Sequence, residues 1–137
     1  MTEPARTELR VEAEVNPTED PNKVRVAVEK IFGELPLKLI EEQHGNRLVA
    51  IADGMKPLSA FKELLKREQI RAAARRILFS DVRGNTITFY LNKQVAYVGH
   101  ISFCQSEGES PLGPIRVEIS CDSPPDLIDW LASRTQK

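Results

Sequence analysis

Between Leu9 and Val15 apolar and charged residues alternate singly. Leu9, Val11, Ala13 and Val15 fall on one side, and Arg10, Glu12 and Glu14 on the other. A period of two is the signature of a strand with one buried face. Asn16-Pro17 ends it, and Asp20-Pro21 reads as an N-cap followed by proline at the first helical position. Val24, Ala27, Val28 and Ile31 then recur at helical spacing, which predicts an amphipathic helix from Pro21 to about Phe32, stopped by Gly33. Leu37 to Gln43 and Arg47 to Ala52 are strand-like and joined across His44-Gly45-Asn46, a hairpin ended by Asp53-Gly54.

The next stretch, KPLSAFKELLKREQIRAAARRILF, buries Leu58, Phe61, Leu64 and Leu65 in one phase. After Glu68 the phase slips to Ile70, Ala73, Ala74 and Ile77, so two successive helices with a break near Glu68-Gln69 are expected. Asn85 to Leu91 and Gln94 to Cys104 read as strands around a turn at Asn92-Lys93. Ile115, Val117 and Ile119 alternate with Arg116, Glu118 and Ser120 in a further strand, Pro114 to Cys121. Ser123-Pro124 opens a last helix carrying Leu127, Ile128 and Leu131. The order βαββααβββα predicts an α+β domain, a mainly antiparallel sheet with helices packed on one face. Residues 1–137 form one domain on this reading, with residues 1–6 as a flexible tail. The polar segment from Gln105 to Gly113 is a loop, stiffened by Ser110-Pro111-Leu112-Gly113-Pro114.

With a two-residue turn at Asn92-Lys93, Phe89 faces Ala96 and Thr88 faces Tyr97. One face of this hairpin then holds Ile87, Phe89, Leu91, Ala96 and Val98, and belongs under the helices Pro21 to Phe32 and Pro57 to Phe79. The other holds Thr86, Thr88, Tyr90, Val95, Tyr97, Ile101 and Phe103. It gathers both tyrosines of the chain. Such a face suits stacking on RNA bases, a contact with a second subunit, or packing against another layer of the same protein. Of the set, Thr88, Tyr90, Tyr97 and Ile101 are the candidates for an interface or stacking surface.

Charge changes the picture locally. The 137-residue chain carries a net charge of −1. Yet Lys56 to Arg76 contains seven cations against Glu63 and Glu68, an excess of five. Arg67, Arg71 and Arg75 repeat every four residues and would share one side of a continuous helix. Guanidinium groups present a planar fork of donors that matches phosphate. Lys62, Lys66, Arg67, Arg71, Arg75 and Arg76 are therefore the candidate nucleic-acid contacts, with Arg71 and Arg75 expected to face solvent and to carry most of any RNA binding. The alternative is a solvated basic face paired to acidic strand residues such as Glu8, Glu12 and Glu14.

Composition bounds the rest. With 41% hydrophobic and 28% charged residues the chain is expected to be globular. Two cysteines, Cys104 and Cys121, are too few for a disulfide framework and read as small buried side chains. On one strand His100 and Cys104 would stand roughly 13 Å apart, too far for one ion, so no metal is expected. No nucleophile motif, phosphate-binding glycine loop or acid–base pair appears, and neither a cofactor nor an enzymatic activity is expected. The start of the chain lacks an apolar signal core and no run is long enough for a bilayer, which points to a cytoplasmic protein without a membrane partner.

Four segments carry a likeness to a known family: VEAEVNPTEDPNKVRVAVEKIF, LLKREQIRAAARRIL, GNTITFYLNKQVAYVGHISFC and ESPLGPIRVEI. Across nearly its whole length the chain resembles an archaeal family of uncharacterised proteins related to predicted RNA-binding proteins and predicted exosome subunits. The resemblance implies an archaeal, cytoplasmic source and a fold like that of the large-subunit ribosomal protein that holds the 5S RNA. It assigns no catalytic residue. Two functions remain open: a non-catalytic RNA-binding protein, or a homodimeric interaction module serving as an accessory subunit of an RNA-processing complex.

Overall fold

The structure, a computed structural model, describes residues 7–43, 45–104 and 113–134. The expected tail, His44 and most of the Gln105 to Gly113 loop lie outside the described residues. In chain order the elements are β1 (Thr7–Val15), α1 (Pro21–Phe32), β2 (Lys38–Glu42), β3 (Gly45–Asp53), α2 (Lys56–Arg67), α3 (Arg71–Ser80), β4 (Val82–Arg83), β5 (Thr86–Asn92), α4 (Lys93–Tyr97), β6 (Phe103–Cys104), β7 (Pro114–Cys121) and α5 (Pro124–Leu131). The strands form one antiparallel sheet in the order β2-β3-β1-β7-β5-β4, with β6 pairing β5 beside β4. The chain is thus α+β, with an open sheet.

The two period-2 strands lie at the centre and pair with each other, Val11 opposite Val117. Leu9, Val11, Ala13, Ile115, Val117 and Ile119 are almost fully buried on the side that the helices cover. Along α1 the Asp20 side chain accepts from the Asn22 N–H at 2.9 Å, and Gly33 ends the helix at φ 78°. Helix α2 buries Leu58, Phe61, Leu64 and Leu65, as its spacing predicts. The break with α3 falls at Gln69, whose φ of 59° is left-handed and incompatible with a continuing helix. A row of rings ties the layers together. Phe61 lies 5.4 Å from both Phe32 and Phe89, and Phe89 lies 5.8 Å from Phe103.

One expected hairpin is absent. Asn92 does not open a turn: its side chain accepts from the Val95 N–H at 2.9 Å and caps the five-residue helix α4. Asn-Gly is the pair that favours a two-residue hairpin turn, because both positions need positive φ; lysine after Asn92 does not supply that. The strand expected from Gln94 to Cys104 is reduced to Phe103–Cys104. Strand β5 pairs with β7 along one edge, Phe89 opposite Val117 and Tyr90 opposite Arg116, and with β4 and the short β6 along the other.

The expected faces change accordingly. Ile87, Phe89, Leu91 and Ala96 are buried, but Val98 is 61% exposed at the end of α4. Ile101 is buried at 8% exposure, and Phe103 packs against the core.

Candidate nucleic-acid interface

The basic segment folds as α2 and α3, and α5 lies beside both. Its cations divide into two groups. Lys62, Arg71 and Arg75 are half-buried in the seam with α5 and the residues after it. The Lys62 ammonium sits 5.5 Å from the centre of the Trp130 ring. The Arg75 guanidinium pairs with Asp129 at 2.6 Å, donates to the Ala132 carbonyl at 3.3 Å and lies 5.0 Å from the centre of the Phe79 ring. Arg71 donates to Ser133 Oγ at 3.3 Å. Arg71 and Arg75 therefore do not project freely into solvent. They dock α5, because the C-terminal end of a helix offers carbonyls without partners and a partial negative charge.

Lys66, Arg67 and Arg76 form the second group. All three are exposed, and none takes part in an ion pair among the described residues. Together with the seam they make a ridge of six cations that includes one paired aspartate, Asp129, and two aromatic rings. Trp130 is half-buried and Phe79 is 37% exposed. Neither ring stood out in the sequence, although Trp130 is the only tryptophan of the chain. Its neighbours Asp126 and Asp129 mask the approach of the basic helices, which only the packing reveals.

The uncovered face of the sheet is electrostatically different. Glu12 lies at its centre, 2.6 Å from both Arg10 and Arg47 and 3.8 Å from Arg116. Arg47 also binds Glu42, and Arg116 binds Glu118 at 2.8 Å. Tyr90 hydrogen-bonds to Arg116, which raises the guanidinium pKa further. Burial pushes the Glu12 carboxyl up, but hydrogen bonding and charge from Arg10, then the charges of Arg47 and Arg116, hold it below its ordinary value. A cleft of about 620 Å³ opens here between Glu12, Glu14, Glu42, Arg47, Tyr90 and Arg116. Of the acidic set Glu8, Glu12 and Glu14, it is Glu12 that neutralises sheet arginines, on the face away from the basic helices.

The two tyrosines are separated. Tyr90 is on the uncovered sheet face beside Thr88, in the half-buried alternate positions of β5. Tyr97 belongs to the helical layer, where the Lys30 ammonium lies 5.5 Å from its ring centre. With Ile101 in the core, Thr88, Tyr90, Tyr97 and Ile101 do not make one surface.

A buried ion pair and a side-chain hydrogen bond hold the helical layer in place. Lys93, expected in an exposed turn, is only 3% exposed. Its ammonium donates to the Glu14 carbonyl at 2.7 Å and to Glu19 at 3.0 Å, and so anchors α4 to the loop between β1 and α1. Burial pushes the Glu19 carboxyl up; bonds from the Asn16 backbone and side chain and from Lys93 outweigh it and lower the pKa. His100 is not on a strand with Cys104. Its Nδ1 lies 3.0 Å from Glu68, and this bond is the main cause of a lowered Glu68 pKa. Cys121 is buried, which pushes its thiol up, away from the reactive thiolate. Among the described residues no three His, Cys, Asp or Glu side chains are grouped to hold a metal, and no helix is long and apolar enough to cross a membrane.

An open antiparallel sheet, helices on one side and a basic helical ridge define a small α+β protein. Residues 8–121 match the family model described as RNA binding, and the chain belongs to that family. The UPF0201 protein of Sulfurisphaera tokodaii is 45% identical over 131 residues, covering 96% of this chain and 90% of its own. The UPF0201 protein PAE1632 of Pyrobaculum aerophilum is 40% identical over 132 residues, covering 94% and 92%. A crystal structure of the UPF0201 protein from Methanococcus jannaschii superposes with a TM-score of 0.83 at 34% identity, over 94% of this chain and 95% of that one. The relatives are archaeal, in keeping with the resemblance.

Proposed function

We propose that the protein is a non-catalytic, cytoplasmic RNA-binding protein that holds a single-stranded segment along the ridge of α2, α3 and α5. The observation that carries this is the excess of five positive charges between Lys56 and Arg76, three once Asp126 and Asp129 of α5 are counted, on a chain whose net charge is −1. That excess lies beside Trp130 and Phe79. Lys66, Arg67 and Arg76 supply phosphate contacts, and Lys62 and Arg71 reinforce the field from the seam. Aromatic rings beside such cations favour unpaired bases, which stack on a ring as paired bases cannot. The family description supports the same partner. The uncovered sheet face is the weaker candidate, since its arginines are bound to carboxylates already.

Holding RNA without cleaving it fits an accessory subunit of an RNA-processing complex, the role that the exosome-related resemblance implies. A 5S-RNA-binding ribosomal likeness would likewise need an open sheet backed by helices. Filter binding of a single-stranded oligonucleotide across a salt series tests the reading. Affinity should fall by about 0.7 log unit per log unit of salt for each phosphate contact. Binding without salt dependence, or none at low salt, would remove the basis of the proposal.

A further inference from the structure

Strand β2 is the outermost strand at one end of the sheet, and all five of its residues, Lys38 to Glu42, are exposed. It pairs with β3 only on its inner side, Ile40 opposite Arg47. Among the described residues no backbone bond is made from its outer side. Such an edge is a template for another strand unless something blocks it. Proline and bulges are the usual blocks, and this strand contains neither. Two of its apolar side chains, Leu39 at 43% and Ile40 at 38%, are exposed.

We infer that the occupant of this edge is a second copy of the same strand, paired antiparallel about a two-fold axis through Ile40. In that register the charged ends of Lys38-Leu39-Ile40-Glu41-Glu42 complement each other, while Leu39 of each copy stands opposite Glu41 of the other. Lys38 meets Glu42 of the second copy, Glu42 meets its Lys38, and Ile40 meets its Ile40 on the same face. Directly opposed side chains stand about 5 Å apart, close enough for both ion pairs. A parallel arrangement would set Lys38 against Lys38 and two glutamates against their own kind. An antiparallel shift by two residues leaves one end of the strand unpaired. The charges that ordinarily protect an edge therefore select a register here. Glu42 keeps its Arg47 partner within the chain and gains an ammonium from across the edge.

The pairing joins two sheets into one, with the uncovered faces on the same side. Helices α2, α3 and α5 pack towards β5 and β7, at the other end of the sheet. The edge is thus remote from the basic ridge, and this inference does not rest on the RNA reading. Five paired residues make a small contact, of the size seen in weak assemblies, so association should depend on concentration.

Sedimentation or light scattering of the full chain should show the mass rising from one chain of 15.4 kDa towards two as concentration increases. Ile40→Glu should hold the protein at one chain. Its new carboxylate faces Arg47 within the fold but meets its own copy at the two-fold axis. The decisive experiment uses two charge reversals. Lys38→Glu alone sets glutamate against glutamate, and Glu42→Lys alone sets lysine against lysine, so each should weaken self-association at least tenfold. Mixed together they should restore it, because both pairs between positions 38 and 42 are then Glu with Lys.

Circular dichroism would confirm that each variant is folded. A wild-type chain that stays at one mass to millimolar concentration overturns the inference. So does a dimer unaffected by Ile40→Glu, or a mixture that fails to associate. Oligonucleotide affinity per chain should be the same for Ile40→Glu and wild type. Loss of RNA binding by every form would defeat the functional proposal and leave the edge pairing standing.

Discussion

The uncovered sheet face and the ridge of α2 and α3 both carry arginine, and they differ in what surrounds it. On the sheet, Arg10, Arg47 and Arg116 converge on Glu12, and Arg47 and Arg116 each bind a second carboxylate. On the helices, Arg75 has Asp129, while Lys66, Arg67 and Arg76 take part in no described ion pair. A cation already neutralised by a carboxylate gains little from a phosphate, since the carboxylate must first be displaced. Counting arginines would rank the two surfaces nearly equal; counting unpaired charge separates them. The same comparison divides the ridge itself into seam residues that hold α5 and exposed residues available to a ligand.

The largest expected effect comes from reversing the exposed charges. Lys66→Glu, Arg67→Glu and Arg76→Glu together should weaken binding of a single-stranded oligonucleotide by about 100-fold or more at low salt, with the melting temperature little changed. The matching change on the sheet, Arg116→Glu, should alter affinity less than about twofold. Equal losses from the two variants would erase the distinction. Filter binding and thermal melts read both.

Next in size is Glu12→Gln. It leaves Arg10, Arg47 and Arg116 close together without their shared anion, and should cost about 2 kcal/mol of stability at neutral pH. Because Glu12 has a lowered pKa in the folded state, its contribution is present above the ordinary value of 4.5 and lost as pH falls through the folded value. The gap between wild type and variant should therefore close on acidification below about pH 4.5. Denaturant titrations at several pH values would show it; a gap that widens in acid would contradict the assignment.

Arg75→Ala should cost about 1–2 kcal/mol, through the loss of a half-buried ion pair with Asp129 of α5 and a cation–ring contact with Phe79 of α3. Because this change loosens α5, any effect on RNA affinity must be read beside the melt; this is why Arg75 is a poorer probe of the ridge than Lys66. The smallest effect belongs to Tyr90→Phe. It removes one hydrogen bond to Arg116 at a half-exposed position, about 0.5–1 kcal/mol, and should leave RNA affinity unchanged. A loss of RNA binding here would return the sheet face to consideration.

Local signals were sufficient for much of the fold. The alternation in β1 and β7, the proline and glycine bounds of α1, and the phase slip at Gln69 are properties of neighbouring residues, and each is visible in the chain. Burial of Leu58, Phe61, Leu64 and Leu65 follows from spacing alone, because a helix brings residues three and four apart to one side. The candidate site was legible only as a charge count. Its exposed part, Lys66, Arg67 and Arg76, cannot be told from its seam part, Lys62, Arg71 and Arg75, until α5 is in place.

What the sequence by itself determined, then, is the set of elements whose periodicity runs over a full face: two central strands, the main helices and the side of each that is buried. Tertiary structure alone decided the rest. It made Asn92 a helix cap and left only Phe103–Cys104 of the expected hairpin partner beside β5. It buried Lys93 by supplying Glu19 and the Glu14 carbonyl from far along the chain. It placed Tyr90 and Tyr97 in different layers and gave Arg71 and Arg75 their partners in and after α5. The physical reason is range. Backbone geometry and hydrophobic spacing act between residues a few positions apart, whereas neutralising or burying a charge depends on groups that only the folded chain brings together.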